Sequence, residues 1–324
     1  MKRRIQFFRR WQNWLGLLLV ALFLFLAIAA PVLSPVDMKN PGTIKIVGNP
    51  RDFQPRPPSV EAPLGTLSKG ISVYHSLIWG TRSALVFGLV VALFSMFLGV
   101  LVGLLSGYKG GFLNDALMRV SDTFMSFPLI AGVVLISQLF TIILNNAGVV
   151  YMTMAGYIST NSITSVYIPE NLPTWLVTLQ KIDPVIIAFI LFSWMPYARL
   201  MNTTVLRLKN TEYIEAAHSL GARPSRVIFR HLLPNALSPA IVMAAKDVGG
   251  MVLLQATFTF IGMGSSSPWG MLLVNGRDWI LSPGGIFTYW WVFVPPTIAL
   301  ILFGIAWNLL GDGLNDALNP RTTL

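Results

Sequence analysis

Residues 212–236 read EYIEAAHSLGARPSRVIFRHLLPNA, a polar and basic stretch between strongly apolar segments. Good helix formers fill residues 212–220, and Gly221 suits the positive φ that ends a helix. Pro224 fits the first turn of a new helix, where its missing N–H has no cost. The stretch therefore predicts a helix, a turn and a second helix, and we expect Pro234 to limit that second helix.

The composition of the whole chain is that of an integral membrane protein. Of its 324 residues, 54% are hydrophobic and only 11% are charged, whereas about a quarter of the residues in a soluble domain are charged. The net charge of +10 would suggest nucleic-acid binding in a soluble protein. Here the basic residues flank apolar segments, where they orient membrane spans, and no basic binding face is left. The chain has no cysteine, which excludes disulfides and cysteine-based metal sites.

Six apolar stretches are long enough to cross a hydrocarbon core of roughly 30 Å, so the predicted fold is an all-α membrane protein with six transmembrane helices. The stretches are residues 15–33, 83–106, 127–144, 183–201, 239–261 and 289–310. The alternative for the first stretch is a secretory signal peptide, because Ala27-Ile28-Ala29 resembles a cleavage site. The stretch is longer than the apolar region of a usual signal peptide, which favours a membrane span.

The segments around these spans complete the predicted organisation. It comprises a cytoplasmic basic N-terminus (1–14), the first span (15–33), an external Pro-rich segment without a core of its own (34–82), a five-helix core (83–311) and a cytoplasmic tail (312–324). Within the core we expect an external loop at 145–182, a cytoplasmic loop at 202–238 and an external reentrant-like loop at 263–288. Two shorter predictions are an interfacial helix at 71–79 and a polar connection at 108–127.

The distribution of basic residues predicts that both termini are cytoplasmic. Of the 23 Lys and Arg residues, 14 fall in the segments assigned to the cytoplasm and eight in the external segments, while Lys246 lies within a span. Most of the external charges belong to one long segment, so the cytoplasmic side is richer per residue. This asymmetry follows the positive-inside rule.

Two patterns within the spans predict close packing and a polar pathway. Gly99, Gly103 and Gly107 recur on one helix face and predict a seam, either within the subunit or between subunits. Lys246 and Asp247 lie in the fifth span, where ionisable groups are costly unless they are paired or face water. They are candidate pathway residues, although adjacent helical positions point about 100° apart, and Lys246 could instead snorkel or pair with another subunit.

Catalytic signatures do not occur in the sequence. The chain has no G-x-x-x-x-G-K-[ST], H-E-x-x-H or G-x-S-x-G pattern, so it has no phosphate-binding loop of its own. His75, His218 and His231 are far apart in sequence, which disfavours a metal cluster. An intramembrane enzyme would need converging polar groups, and only the Lys246-Asp247 pair offers any.

Six motifs in order resemble the permeases of ABC importers, most closely the second permease subunit of the dipeptide/oligopeptide/nickel branch. The 212–236 segment resembles the EAA loop of that family, and we call it the EAA segment. The order is EAA (215–217), three residues, Gly221, nine residues, His231 where many relatives carry Ile, and then a Leu-Pro pair. The other motifs are PLGT (63–66), GTRSAL (80–85), SDTFMSFP (121–128), PYARL (196–200) and NLLGDGLNDALNPR (308–321).

This resemblance implies a type I ABC-importer permease fold in a bacterial inner membrane. It implies four kinds of partner: a second permease, two ABC ATPase subunits, an extracytoplasmic solute-binding protein and the bilayer. The chain itself would bind no cofactor, because ATP and Mg²⁺ are used by the ATPase subunits. Loop 145–182 is then either a contact for the solute-binding protein or an insertion without function.

By the same resemblance, the EAA segment is a coupling helix that docks on an ATPase. The implied coupling residues are Glu215, Ala216, Ala217, Gly221, Arg223, Arg226, Arg230 and Pro234, of which the arginines could equally face lipid headgroups. Gln255 stands where we expect a Glu in this branch, so it joins Lys246 and Asp247 as a candidate pathway residue. Peptides are the expected cargo; nickel, an opine or a small glycan would suit the same architecture, and a membrane scaffold is a remote alternative.

Overall fold

Helices make up most of the chain that the computed structural model describes, which covers residues 10–36, 42–154, 183–263, 267–280 and 288–318. For residues 144–154 and 218 only the backbone is described. Short antiparallel bridges join Ile46 to Ile71 and Thr66 to Ser72, and in the described ranges no longer β-structure occurs.

The helices follow one another with short connections. They are α1 (Trp11–Leu33), α2 (Val73–Lys109), α3 (Gly111–Ser126), α4 (Leu129–Met154), α5 (Pro184–Ser193), α6 (Met195–Lys209), α7 (Glu212–Ser219), α8 (Pro224–Val227), α9 (Leu233–Ile261), α10 (Pro268–Ile280) and α11 (Trp290–Leu318). A 3₁₀ turn covers Ser68–Gly70, and a π turn over Ile228–Leu232 joins α8 to α9.

Five helical stretches are long and apolar enough to cross a membrane, namely α1, α2, α5 with α6, α8 through α9, and α11. A sixth span results if α3 and the first part of α4, which are bent by 93° at Ser126–Leu129, are counted together. Pro128 lies at this corner, where its ring prevents the helix from continuing. The expected all-α membrane fold is therefore confirmed.

Several helices differ in extent from the prediction. The expected interfacial helix at 71–79 is the first part of α2, because Ser72 caps that helix and no residue breaks it before Gly110. The expected polar connection at 108–127 is the helix α3. The backbone of α4 continues to Met154, beyond the predicted end of the third span, and the rest of loop 145–182 lies outside the described residues.

The fourth span is interrupted near Pro196, as the sequence predicts. Helix α5 ends at Ser193, Trp194 lies between the two helices, and α6 begins at Met195 with Pro196 in its first turn. The loop expected at 263–288 contains the helix α10, and residues 264–266 and 281–287 lie outside the described part.

The glycine seam predicted for α2 packs against α6 of the same subunit. A methyl group at Gly99 would meet Trp194 and Tyr197, and one at Gly103 would meet the Ala198 carbonyl oxygen. Gly107 lies against Val205 and Asn202. The backbones of α2 and α6 therefore approach closely along three turns, which confirms the intrasubunit alternative.

Aromatic side chains from α1, α2, α5, α9, α10 and α11 fill the core. Phe23, Trp269 and Phe303 contact one another, with ring centroids 5.1 to 6.2 Å apart. A second set, Phe87, Phe189 and Phe258, joins α2, α5 and α9 with centroids 5.4 and 5.5 Å apart. The helices that frame the polar groups described below are thus fixed by edge-to-face packing.

The Pro-rich segment contributes to a small core that it shares with α2, α10 and α11. Leu67 is fully buried with Val73, Leu272 and Trp291. Gly65, with φ +73°, lies against the Trp291 ring, whose Nε1–H donates to the Thr66 carbonyl oxygen at 3.3 Å. The PLGT motif therefore fixes this segment on the start of α11.

Candidate functional site

The EAA segment folds as a helix, a turn and a second helix, as its sequence predicts. Helix α7 ends in a left-handed turn at Gly221, whose φ is 76°. The Ala222 N–H donates to the Ala217 carbonyl oxygen at 3.0 Å, which is the six-to-one bond that closes a helix C-terminus. The second helix begins at Pro224.

The predicted coupling residues form an exposed surface. Ala217 is half-buried, and the others are exposed: Glu215, Ala216, Gly221, Arg223, Arg226, Arg230 and Pro234. Within the described residues, none of the three arginines lies within ion-pair distance of a carboxylate. The segment therefore presents both acidic and basic groups outward.

A buried anchor fixes this exposed segment to the bundle. Ile214, Val227 and Leu232 are each 0% exposed and belong to one apolar cluster with residues of α2, α6 and α9. Sequence reasoning missed these three residues, although each is an aliphatic residue within an otherwise polar and basic stretch. Because Ile214 lies between exposed Tyr213 and Glu215, α7 is buried along a narrow stripe only.

Pro234 does not limit the second helix, which is a correction to the prediction. Helical structure runs from Pro224 through the π turn Ile228–Leu232 to Ile261. In the π turn the Leu233 N–H donates to the Ile228 carbonyl oxygen, five residues back. This wider turn accommodates a proline that lacks an N–H and whose ring would clash in a regular α-helix. A helix can therefore pass through Pro234.

Apolar side chains on the EAA segment also face outward. Leu220 is 88% exposed and Phe229 67% exposed, and the exposed Tyr213 ring lies 6.5 Å from the His231 ring. These side chains were not among the predicted coupling residues. Leu220 stands beside Gly221, so its position in the turn after an exposed helix could have identified it.

Lys246 is paired within the subunit. Its Nζ lies 2.6 Å from Oδ1 of Asp312 in α11, and its methylene chain packs on Gly311. Both Asp312 and Gly311 belong to the NLLGDGLNDALNPR motif. The ion pair therefore joins α9 to α11 and accounts for a charged group within an apolar helix.

Asp247 faces a different helix from Lys246, as the 100° rotation between neighbours requires. It accepts a hydrogen bond of 2.6 Å from the Tyr197 hydroxyl of the PYARL motif in α6. One turn further along α9, Met251 accepts a weak hydrogen bond from Ser193 of α5, with an Oγ–Sδ distance of 3.8 Å. Asp247, Met251 and Gln255 recur every four residues, so they share the α9 face that packs on α5 and α6.

Gln255 is 3% exposed, and its Oε1 has no hydrogen-bond partner among the residues that the structure describes. It borders a cleft of about 370 Å³, which Trp79, Arg82, Asp183 and Ile186 also line. We call this cavity the Gln255 cleft. A buried acceptor without a donor is unfavourable, so this side chain is poised for an additional polar partner.

Polar bonds also tie α6 to the corner between α2 and α3. The buried Asn202 side chain donates to Ser106 Oγ at 2.7 Å and to Asn114 Oδ1 at 2.6 Å. Arg199 pairs with Asp122 of the SDTFMSFP motif at 2.5 Å. Two of the sequence motifs, PYARL and SDTFMSFP, thus meet beside this corner through a contact that neither motif indicated alone.

The structure thus separates the predicted residues into two groups. The coupling residues lie on the EAA segment, whereas Lys246, Asp247 and Gln255 lie further along α9 and contact different neighbours. Within the described residues, no three His, Asp or Glu side chains come together in a way that could hold a metal ion. His75 instead bonds Ser34 Oγ at 2.7 Å.

Comparison with known proteins gives one family match. The family model described as "Binding-protein-dependent transport system inner membrane component" matches residues 99–324. The matched region begins within α2 and contains the EAA segment and all three candidate pathway residues.

Curated relatives match nearly the whole chain. The glutathione transport system permease protein GsiD of Pectobacterium atrosepticum is 30% identical over 94% of this chain and 85% of its own length. The dipeptide permease DppC of Bacillus subtilis is 29% identical over 94% of this chain and 80% of its length. The oligopeptide permease OppC of the same organism is 27% identical, over 94% and 84%.

Proposed function

Because the chain belongs to the family of binding-protein-dependent transport system inner membrane components, we propose that it is the permease subunit through which such an importer carries peptides. Similar proteins are named for the transport of oligopeptides, dipeptides and glutathione, which are all peptides. The similarity extends over nearly the whole chain, including the spans that would line a pathway.

The importer would need further subunits. The chain has no phosphate-binding loop, so ATP and Mg²⁺ would be bound by two ABC ATPase subunits. A second permease would complete the pathway, and a solute-binding protein would deliver the peptide from outside. The chain itself then has no enzymatic activity and acts as a mechanical element.

The observation that best supports the proposal is that α7 is exposed on its outer face and anchored to the bundle by a buried side chain. The helix is exposed except for the stripe around Ile214, whose side chain is buried among residues of α2, α6 and α9. A partner can therefore bind the outer face of α7. A displacement of α7 would then be transmitted through the packed apolar cluster to the three spanning helices. An anchoring scaffold would have no use for this arrangement.

Each predicted coupling residue has a role in this arrangement. Glu215 and the exposed arginines, Arg223, Arg226 and Arg230, would form charge contacts with the ATPase. Ala216 and Ala217 keep the outer face smooth, so that a partner surface can approach closely. Gly221 sets the angle between the two helices, and Pro234 with its π turn sets how the second helix enters α9.

The orientation follows from the same proposal. The EAA segment must face the cytoplasm, where ATP is present, and this places both termini in the cytoplasm. The positive-inside rule supports this orientation, because ten basic residues lie in or next to the segments placed in the cytoplasm. They belong to the N-terminal segment (Lys2, Arg3, Arg4, Arg9 and Arg10), the end of α6 (Arg207 and Lys209) and the EAA segment (Arg223, Arg226 and Arg230).

The first experiment is purification of the chain from native membranes, with identification of the proteins that accompany it. We expect a second permease and P-loop ATPases, and an ATPase activity that rises when peptide and solute-binding protein are added. Parallel uptake assays with labelled peptide, nickel, an opine and a small glycan identify the cargo. Uptake of one of the other three without peptide uptake would contradict the proposed cargo.

Coupling is tested with Glu215→Arg and Gly221→Pro in the purified complex. Both variants should insert normally but lose ATP-driven uptake, because they change the docking surface and the turn that positions it. Glu61→Arg, the same charge reversal at an exposed site in the Pro-rich segment, is the matched control. Uptake that is unchanged in both EAA-segment variants would refute the coupling role.

A further inference from the structure

We propose that the Gln255 cleft is a subsite that binds the polar end of a peptide during its passage, with Arg82 holding a carboxylate and Gln255 accepting a hydrogen bond from an amine or a peptide N–H. This inference rests on the proposed function, since it assumes that peptides are the cargo. It assigns a role to the GTRSAL motif, which supplies Arg82 and which the coupling mechanism leaves unused.

Gln255 provides the first observation. Its side chain is buried, lines the cleft, and has an Oε1 without a donor in the described part of the chain. Burial of an amide oxygen is unfavourable unless a donor is supplied. The donor that a peptide offers is its ammonium group or a backbone N–H.

Arg82 provides the second observation. Its guanidinium lies 5.7 Å from the centre of the Trp79 ring, and within the described residues it has no carboxylate partner. Trp79 is itself held in place, because its Nε1–H donates to the Ser34 carbonyl oxygen at 2.9 Å. A guanidinium positioned in this way presents its N–H groups to a carboxylate in a defined geometry.

The shape and lining of the cleft suit one end of a small ligand. Its volume of about 370 Å³ is near the lower limit for small-molecule sites, which are mostly apolar with a few placed polar groups. Val86, Phe87 and Ile186 form apolar walls beside Arg82 and Gln255. A dipeptide, or the terminal residues of a longer peptide, has this combination of apolar and charged parts.

Two of the other candidate cargoes, nickel and a small glycan, fit the cleft less well. A free nickel ion prefers imidazole, carboxylate or thiolate ligands. Among the described lining residues Asp183 is the one such group, and Arg82 would repel the cation. A small glycan lacks the carboxylate that Arg82 would bind. Arg82 therefore offers a contact to an anionic end, and Asp183, which also accepts from the Val185 N–H, offers one to an ammonium group, so the cleft suits a ligand that carries both charges.

The cleft lies on the same face of α9 as the polar contacts of Asp247 and Met251. Gln255 lies two turns from Asp247 on the same helix face, a distance of roughly 12 Å at 1.5 Å per residue. Asp247 is bonded to Tyr197 and Met251 to Ser193 at the intervening levels. A peptide released from the cleft would next meet this face.

The test uses the complete importer with its ATPases and solute-binding protein in proteoliposomes, and follows uptake of a labelled dipeptide. Arg82→Gln should raise the KM about tenfold or more and leave the maximal rate nearly unchanged, since a lost charged hydrogen bond is worth about that factor. Gln255→Leu should raise the KM roughly threefold to tenfold. Arg82→Lys and Gln255→Glu should restore much of the affinity.

A modified ligand tests the assignment of each residue. Binding is measured directly on the complex without the solute-binding protein, using free dipeptide, its C-terminal amide and its N-acetyl form. The amide has no carboxylate for Arg82 to bind, so it should bind equally weakly to the unmodified protein and to Arg82→Gln. Gln255→Glu adds a negative charge that should strengthen the binding of a free ammonium group. The N-acetyl form has no ammonium group, so its affinity should not change in this variant.

Two control variants separate a local effect from general damage. Arg51→Gln removes an exposed arginine of the Pro-rich segment, and Gln138→Leu makes the same Gln substitution on α4, away from the cleft. Both should keep the KM of the unmodified protein. A purely structural role of Gln255 would instead lower the melting temperature and the maximal rate while leaving the KM unchanged, and would overturn the proposal.

The remaining outcomes distinguish the cleft from the proposed function. If the unmodified importer carries peptides and neither cleft variant changes the KM, the subsite is refuted and the peptide permease stands. If the importer carries no peptide, the proposed function fails first. The headgroup of phosphatidylethanolamine has a similar ammonium and anion, so liposomes with and without this lipid are compared; a KM effect confined to one of them would assign the cleft to the lipid.

Discussion

Lys246 of α9 and Asp312 of α11 form an ion pair with an Nζ–Oδ1 distance of 2.6 Å, while the neighbouring Asp247 bonds Tyr197 of α6 at the same distance. Two consecutive residues therefore bind α9 to two different helices. Since a one-turn shift of α9 would break both contacts, the pair defines the register of α9 within the bundle.

The ion pair predicts a charge-swap rescue. Lys246→Asp and Asp312→Lys should each reduce transport severalfold, because like charges then lie within contact distance of each other between α9 and α11. The double variant should recover most of the activity. Because both side chains are about half exposed, Asp312→Asn should lower the melting temperature by only about 2 °C, equivalent to well under 1 kcal/mol.

The control for that experiment is the exposed pair of Arg277 and Asp278, whose charged atoms are 3.6 Å apart. Asp278→Asn should change neither uptake nor melting temperature. If the double variant at 246 and 312 were no better than the single variants, the pair would not set the register of α9.

The glycine seam predicts opposite effects for the same substitution at two glycines. Gly103→Ala should destabilise the protein by about 1–3 kcal/mol, since its methyl group would strike the Ala198 carbonyl oxygen of α6. Gly250→Ala should be neutral or stabilising by up to about 1 kcal/mol, because no atom lies within 4 Å of the new methyl group and alanine favours the helix. Thermal unfolding in detergent measures both changes, and equal destabilisation would contradict the seam.

Gly221 should be required for its backbone angle and not for its size. Its φ is 76°, and no atom lies within 4 Å of the position of a Cβ. Gly221→Asn should therefore retain much of the uptake, because asparagine tolerates this region, whereas Gly221→Val should lose it. Equal loss in both variants would indicate that the partner surface, and not the turn, excludes a side chain.

Ile214 and Leu220 should fail in different ways, although they are only six positions apart. Ile214→Ala removes a fully buried side chain and should cost about 2–4 kcal/mol of stability. Leu220→Glu changes an 88% exposed side chain, so it should leave the melting temperature unchanged and reduce the amount of ATPase that copurifies. Loss of stability in Leu220→Glu would place that residue in the core and contradict the exposed surface.

The sequence predicts the spans and the EAA segment well because their signals are local. Apolar length identifies a membrane helix, and Gly221 with Pro224 identifies the turn between two helices. The seam at Gly99, Gly103 and Gly107 follows from spacing alone, although the sequence left open which helix it would meet.

Other features depend on partners distant in the chain and could not be predicted. No local pattern shows that Lys246 pairs with Asp312 or that Arg82 and Gln255 border one cleft. The prediction that Pro234 limits the second helix is wrong because a proline usually ends or kinks a helix, whereas the π turn that accommodates this proline depends on the backbone before it. The sequence predicts a connection where α3 lies, because the polar residues of α3 obscure its helical spacing.

The π turn at Ile228–Leu232 and the following Pro239 have a mechanical consequence. Both interrupt the regular hydrogen-bond ladder of the helix between Pro224 and Ile261, and both lie before Lys246. A helix bends most easily where its hydrogen-bond ladder is interrupted. A force applied to the Pro224 end of this helix would therefore bend it near these interruptions and would not be transmitted as far as Gln255. The buried anchor at Ile214 does not depend on these interruptions, because it packs on α2 and α6 as well as on α9. We therefore expect the force of the ATPase to enter the bundle laterally, with this anchor as the pivot of a lever.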